Sequence, residues 1–223
     1  MEKLFDNNKL KFDDSASEKF KDDVKKILNK LAESETGKSI LKALNNSTSP
    51  ITFVESVADE QGQFFTGFNS ETQEISLRAI QYSEGFFPYQ TTVETIAHEL
   101  IHGLQLEKGL LEDGGKAGIN IAHEVTSFLY AEMVLSQLTD NDGNRLYGAS
   151  LQRNGNSTVT LFEEVASGEE ELTLNIFNDF IDNFEDIYNP SNTSDPYQDP
   201  NYYYQEHIDE EMLEKIKDLI NNL

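Results

Sequence analysis

The chain has 223 residues, 41 acidic against 17 basic side chains for a formal net charge of −24, 37% hydrophobic content and no cysteine. It is long enough to bury one good-sized core, and its charge disfavours nucleic acid and anionic membrane surfaces as partners, because such a surface repels phosphate. Without cysteine there are no disulfides or thiolate metal sites, so any metal must be held by histidine and carboxylate.

No run of about 18 apolar residues occurs, and the opening MEKLFDNNKLKFDD lacks the apolar centre of a Sec signal. The location is left open between export by an unconventional or specialised route and the cytoplasm. Ser15 and Glu18 have capping-box spacing, and Phe20, Val24, Ile27, Leu28 and Leu31 follow at helical intervals, which predicts an amphipathic helix over residues 16–33. A shorter helix carries Ile40, Leu41 and Leu44 and ends in the polar break at 45–50. Gly37, Lys38 and Ser39 imitate the end of a phosphate-binding loop, but Ala32 stands where its first glycine belongs and no strand precedes it, so that reading is rejected. Residues 51–57 read as a strand, and 64–68 with 74–77 as a hairpin turned through Asn69, Ser70 and Glu71. The 74–77 strand is a candidate edge for an extended peptide, with an ordinary interior strand as the alternative.

Residues 91–104, TTVETIAHELIHGL, organise the rest. Thr91 and Glu94 have capping-box spacing, and Val93, Ile96, Ala97, Leu100, Ile101 and Leu104 form one apolar stripe at 100° per residue. His98, Glu99 and His102 fall on the opposite edge. Histidines four apart lie one above the other on a helix, so both imidazoles can reach one metal while Glu99 points to the rim of the same site. The bland alternative is a solvated polar face.

A glycine-rich loop follows at 108–116, then a helix at 117–138. Asp140, Asp142, Gly143 and Asn144 imitate a calcium loop with the wrong glycine register and no distal bidentate glutamate, so a plain turn is predicted. Residues 159–165 read as a strand, and 170–188 as a helix carrying Leu172, Leu174, Ile176, Phe177, Phe180, Ile181 and Phe184. Three prolines make 189–201 an irregular connection, leading through Tyr202, Tyr203 and Tyr204 to His207 and a last helix with Ile208, Met212, Ile216, Leu219 and Ile220. A single domain over 1–223 is expected, with N-terminal helices at 1–48, sheet and metal-binding helices at 51–138 and a mainly helical part at 139–223.

The stretch 51–137, a strand region followed by a helix with H-E-x-x-H, a loop and a second helix with an acidic residue, resembles a zincin metallopeptidase of the glutamate-ligand (gluzincin-like) branch. Its HELIH core and compact size are most similar to bacterial effector or toxin metallopeptidases. The resemblance implies an α+β, zincin-like fold, with a small, mostly antiparallel sheet packed on the HExxH helix and a helix-rich C-terminal part. It also implies one catalytic Zn2+ held by His98, His102 and a third ligand about twenty residues on, in a motif resembling N-E-x-x-S-D. Residues 123–128, HEVTSF, occupy that register. Glu124 matches the ligand and Ser127 the serine, but Phe128 replaces the aspartate that supports the first histidine. Helix phase directs His123 away and leaves both Glu124 and Glu132 open, while the spacing of 22 residues from His102 selects Glu124. Glu132 or a backbone carbonyl then takes over the missing support. The implied chemistry is hydrolysis of a peptide bond by a zinc-activated water, with Glu99 as general base and His207 or one of Tyr202, Tyr203 and Tyr204 as oxyanion donor. The expected partner is a protein or peptide substrate. The alternatives are a non-catalytic zincin-fold binding module and a zinc-dependent hydrolase of a non-peptide amide.

Overall fold

The computed structural model describes residues 7–56, 66–78, 88–110, 119–140, 142–146, 157–187, 203–204 and 206–219. Strand β1 (Leu10–Phe12) leads into helix α1 (Glu18–Leu31), α2 (Glu35–Asn46) and strand β2 (Ile51–Ser56), followed by β3 (Gly67–Asn69) and β4 (Glu74–Arg78). Ser17, not Ser15, caps α1, its side chain accepting from Phe20 N–H at 3.2 Å. The reciprocal carboxylate that Glu18 was expected to supply comes instead from Glu55 of β2, which accepts from Ser17 N–H at 2.7 Å and ties the helix start to the sheet. Ser34 caps α2 through Gly37 N–H at 2.9 Å. There a Cβ on Gly37 would lie 2.0 Å from the Leu31 carbonyl oxygen, so its glycine serves a tight helix joint and no phosphate.

The four-stranded sheet runs β1-β2-β4-β3. The chain is α+β, as expected, but the sheet is mixed: β1 with β2 and β2 with β4 are parallel, and antiparallel pairing is confined to β3 with β4. The α1–α2 crossover accounts for the first parallel pair, since a helical connection returns the chain in the same direction. The hairpin forms, with Asn69 Oδ1 accepting from Glu71 and Thr72 N–H in its turn. Its 74–77 strand is interior, however, because β2 takes its far side, and the edge beside it is β3. Residues 64–65 of the expected hairpin lie outside the described residues.

Helix α3 (Pro88–Glu107) crosses this sheet. It starts at Pro88, three residues before the expected cap at Thr91, with proline at the first helical position, where its missing N–H costs nothing. Val93, Ile96, Ala97, Leu100, Ile101 and Leu104 are all fully buried, as the stripe required. Gly103 sets the approach to the sheet, since a Cβ there would stand 2.5 Å from Ile51 Cδ1. Strand β5 (Ile119–Asn120) then runs into α4 (Ile121–Ser136), whose cap is Asn120. Helices α3 and α4 pack together at the centre of the molecule.

Beyond α4, Asp140 accepts from the N–H groups of Asp142 and Asn144 at 2.8 Å each, which makes the acidic loop the turn expected. Residues 159–165, read as a strand, belong to helix α5 (Ser157–Ser167). Its buried residues Val159, Phe162, Val165 and Ala166 keep helical spacing, so tertiary packing overrides the β-branched composition. The long helix expected over 170–188 is two: α6 (Leu174–Asp182), capped by Thr173, and the short α7 (Phe184–Ile187). They are separated by Asn183, whose side-chain amide donates to Asp179 O at 2.8 Å. Residues 189–202 lie outside the described residues. Strand β6 (Tyr203–Tyr204) pairs parallel with β5, and α8 (Glu210–Lys217) is fastened to α4 by the Tyr130 hydroxyl, which donates to Ile216 O at 2.7 Å. Among the described residues no helix is long and apolar enough to cross a membrane.

Candidate metal centre

His98 and His102 sit one turn apart on α3, and both present Nε2 to the same point, 3.0 Å from each other. Glu124, in the first turn of α4, closes the triangle: Oε2 is 3.2 Å from His98 Nε2 and Oε1 is 3.3 Å from His102 Nε2. Two imidazole nitrogens and a carboxylate oxygen bonded at about 2.0–2.2 Å to a tetrahedral ion stand about 3.3 Å apart, so these separations are those of a three-ligand metal site. The donor set fits as well, being nitrogen and oxygen without sulfur. Glu99 belongs to the same cluster, with donor atoms of His98, Glu99 and His102 all within 4.8 Å of one another. All four side chains are buried.

Burial raises the Glu99 carboxyl above its ordinary range, with the neighbouring Glu124 carboxylate adding to it, while His98, His102 and a backbone hydrogen bond from Phe68 on edge strand β3 pull the other way. Burial also opposes charge on His102, yet Glu124, Glu99 and a hydrogen bond to Gln105 outweigh it and lift the imidazole to about 9. The partner shift is consistent: burial would raise Glu124, but His102 and His98 hold it well below the usual carboxylate value. Glu124 is thus coupled electrostatically to both histidines.

The surroundings of the two histidines differ. His102 Nδ1 lies 2.9 Å from Gln105 Oε1 and 3.2 Å from Ser127 Oγ. Gln105 was missed in the sequence, although it stands three residues after His102 and so on the same helix face. Ser127 is the serine of the resembled motif. Around His98, the ring of Phe128 packs at 4.4 Å between centroids, in the place where that motif carries an aspartate. Among the described residues, His98 Nδ1 has no hydrogen-bond partner. Glu132 does not supply one. It lies eight residues beyond Glu124, about 12 Å along the helix axis, and its charged neighbour is Arg145 at 3.9 Å.

His123 keeps its ring off the metal point, as helix phase predicted, and burial pushes that ring down to about 4. Its backbone carbonyl accepts from Gln105 Nε2 at 3.1 Å. His207 is exposed and lies 2.8 Å from Asp182 of α6, out of hydrogen-bond contact with the cluster. The main chain of Tyr203 pairs in register with Ile119, just before the cap of α4. The placement of the Tyr203 side chain, like Tyr202 altogether, lies outside the described residues.

No curated protein and no solved structure matches the chain. A family model does, over residues 7–217, so the match spans the sheet, helices α3 and α4 and the C-terminal helix alike. With a buried H-E-x-x-H helix at the centre of that span, the chain belongs to the Peptidase_M91 family of effector proteins.

Proposed function

We propose that the protein is a zinc-dependent endopeptidase that cleaves another protein, with His98, His102 and Glu124 as metal ligands and Glu99 as general base. The observation that carries this reading is the triangle of Nε2, Nε2 and carboxylate oxygen with edges of 3.0, 3.2 and 3.3 Å, beside a second buried carboxyl, Glu99, that holds no place in it. Zinc held there would supply Lewis acidity toward the scissile carbonyl and lower the pKa of a water toward about 7. Glu99 takes the proton of the attacking water and delivers it to the leaving amine, a task its raised carboxyl supports. The sheet edge beside Glu99 is β3, where main-chain groups can receive an extended substrate. Tyr203 is the preferred oxyanion donor over His207, because its main chain pairs with Ile119, one residue before the α4 cap and five before Glu124, while His207 faces Asp182. Delivery into a host cell is the route that suits an effector family.

The test is incubation of purified protein with unfolded casein and a peptide library, with and without chelator, beside Glu99→Gln. Chelator-sensitive cleavage abolished in the variant is expected, and cleavage that persists in either control refutes the mechanism. Phe128 against His98 favours a second reading, a zincin-fold module without catalysis. Stoichiometric zinc with an exchangeable water position argues against it, and an occluded centre argues for it.

A further inference from the structure

We infer that Gln105 is the residue that positions His102 as a metal ligand, and that the His123 carbonyl sets the direction in which Gln105 does so. The inference rests on the metal-site reading above. Gln105 is 1% exposed, and its two amide ends have different partners: Nε2 donates to His123 O at 3.1 Å and Oε1 lies 2.9 Å from His102 Nδ1.

A backbone carbonyl can only accept a hydrogen bond, so the end of the amide that faces it must be NH2. The other end is then carbonyl oxygen, which can only accept, and the hydrogen of that contact must reside on His102 Nδ1. An imidazole with hydrogen on Nδ1 keeps its remaining lone pair on Nε2, the atom that faces His98 Nε2 at 3.0 Å and Glu124 Oε1 at 3.3 Å. Donation therefore runs from His102 to Gln105 on α3 and from Gln105 to the fixed His123 carbonyl on α4, which anchors the series. Ser127 Oγ, at 3.2 Å from the same Nδ1, shares that hydrogen as a second acceptor. Because His123 is adjacent to Glu124, the first turn of α4 both supplies the carboxylate ligand and orients the histidine opposite it. Ligating imidazoles held this way lose metal affinity when the outer partner is removed, typically by 10–100-fold.

The experiment measures zinc affinity of the full chain by competition with a chromogenic chelator at constant pH, for wild type, Gln105→Met and Gln105→Glu. Methionine keeps the length and bulk of glutamine without either polar end, and glutamate keeps the acceptor toward His102. Expected is a 10–100-fold weaker affinity for Gln105→Met and a return to within a few-fold of wild type for Gln105→Glu, with the metal-free melting temperatures of the two variants close together. Affinity within twofold of wild type in Gln105→Met, or an equal loss in both variants, overturns the inference. If Gln105→Met does not fold, the zinc-loaded wild type decides by nuclear magnetic resonance. A slowly exchanging Nδ1 proton on His102 in contact with the Gln105 side chain supports the inference, and an Nδ1 without hydrogen overturns it. A wild-type chain that binds no zinc overturns the metal-site reading itself, which the chelator titration shows before any variant is compared.

Discussion

On the proposed ligand set, replacing Glu124 by Gln removes the carboxylate donor and the main source of His102 basicity in one step, and the two losses separate with pH. In the metal-free protein, burial opposes a charged His102, but the Glu124 carboxylate at 3.3 Å, with Glu99 and Gln105, raises it to about 9. A metal must displace that proton, so wild-type affinity climbs about tenfold per pH unit as long as the pH lies below about 9. Between about pH 7 and pH 9 the gain is roughly a hundredfold. In Glu124→Gln both contributions of the carboxylate vanish while burial remains, so His102 falls below its wild-type value, with Glu99 and Gln105 offsetting only part of the loss, and the affinity climbs less steeply over the same range. The advantage of wild type over the variant therefore shows in full at pH 9 and is partly offset at pH 7, widening by up to about two decades between them. Zinc titrations in a competing chelator at pH 7, 8 and 9 measure the gap directly. A gap that stays constant or narrows with rising pH refutes the coupling between Glu124 and His102.

Glu99→Gln should retain zinc affinity within a few-fold while peptide hydrolysis falls about 10²–10⁴-fold, measured on one cleavable peptide at matched zinc occupancy. Gly37→Ala should destabilise the protein by about 1–3 kcal/mol or more in urea unfolding, because the atom in its way is the Leu31 carbonyl, which belongs to the backbone and cannot rotate aside. His123, pushed down to about 4 by burial, stays neutral in the folded chain while its unfolded counterpart takes up a proton near 6.5. Stability is thus lost as pH falls from about 6.5 toward about 4, and His123→Gln should flatten that part of the acid limb; an unchanged acid limb would show the ring to be solvated. Glu132→Gln should leave zinc affinity within a few-fold, since its charged neighbour is Arg145, and a loss comparable to Glu124→Gln would show that Glu132 reaches the metal.

The His98, Glu99 and His102 cluster was legible because it is local: residues one and four apart on one helix are brought together by helix geometry, which sequence spacing carries, whereas Glu124 was singled out from Glu132 only by the resembled family's spacing. Gln105 had the same kind of signal, three residues after His102, but an uncharged amide inside a helix has no chemistry that singles it out until its partner, the His123 carbonyl, is in place 18 residues away. Sheet direction was not legible. Nothing in the strands at 51–57 and 74–77 states that they run parallel, because pairing depends on the crossover between them and on long-range register. The misread strand at 159–165 fails for another reason: Val159, Thr160, Leu161 and Phe162 favour a pleated surface by composition, and the choice of helix is made by the core they pack into. Ser15 and Ser17 show the same limit on a smaller scale, since the carboxylate that completes the cap comes from Glu55, 38 residues away.

The unequal support of the two histidines has a consequence for how the site assembles. His102 is held by groups from both helices, Gln105 on α3 and Ser127 on α4, so its ring direction is fixed as soon as those helices pack. His98 is confined chiefly by shape, with Phe128 against its face and no described partner for Nδ1. An aromatic wall restricts where a ring lies but leaves the position of its hydrogen to be chosen by what approaches Nε2. Neighbouring Glu124 reaches both rings from one carboxylate, so a cation arriving at the point they share meets one prepared imidazole, one prepared anion and one imidazole whose tautomer it selects itself. Binding then completes the order of the centre rather than filling a finished socket. A carboxylate introduced at position 128 would fix His98 in advance, at the cost of placing another negative charge in a pocket where burial first, and the Glu124 carboxylate after it, already hold Glu99 above its ordinary range.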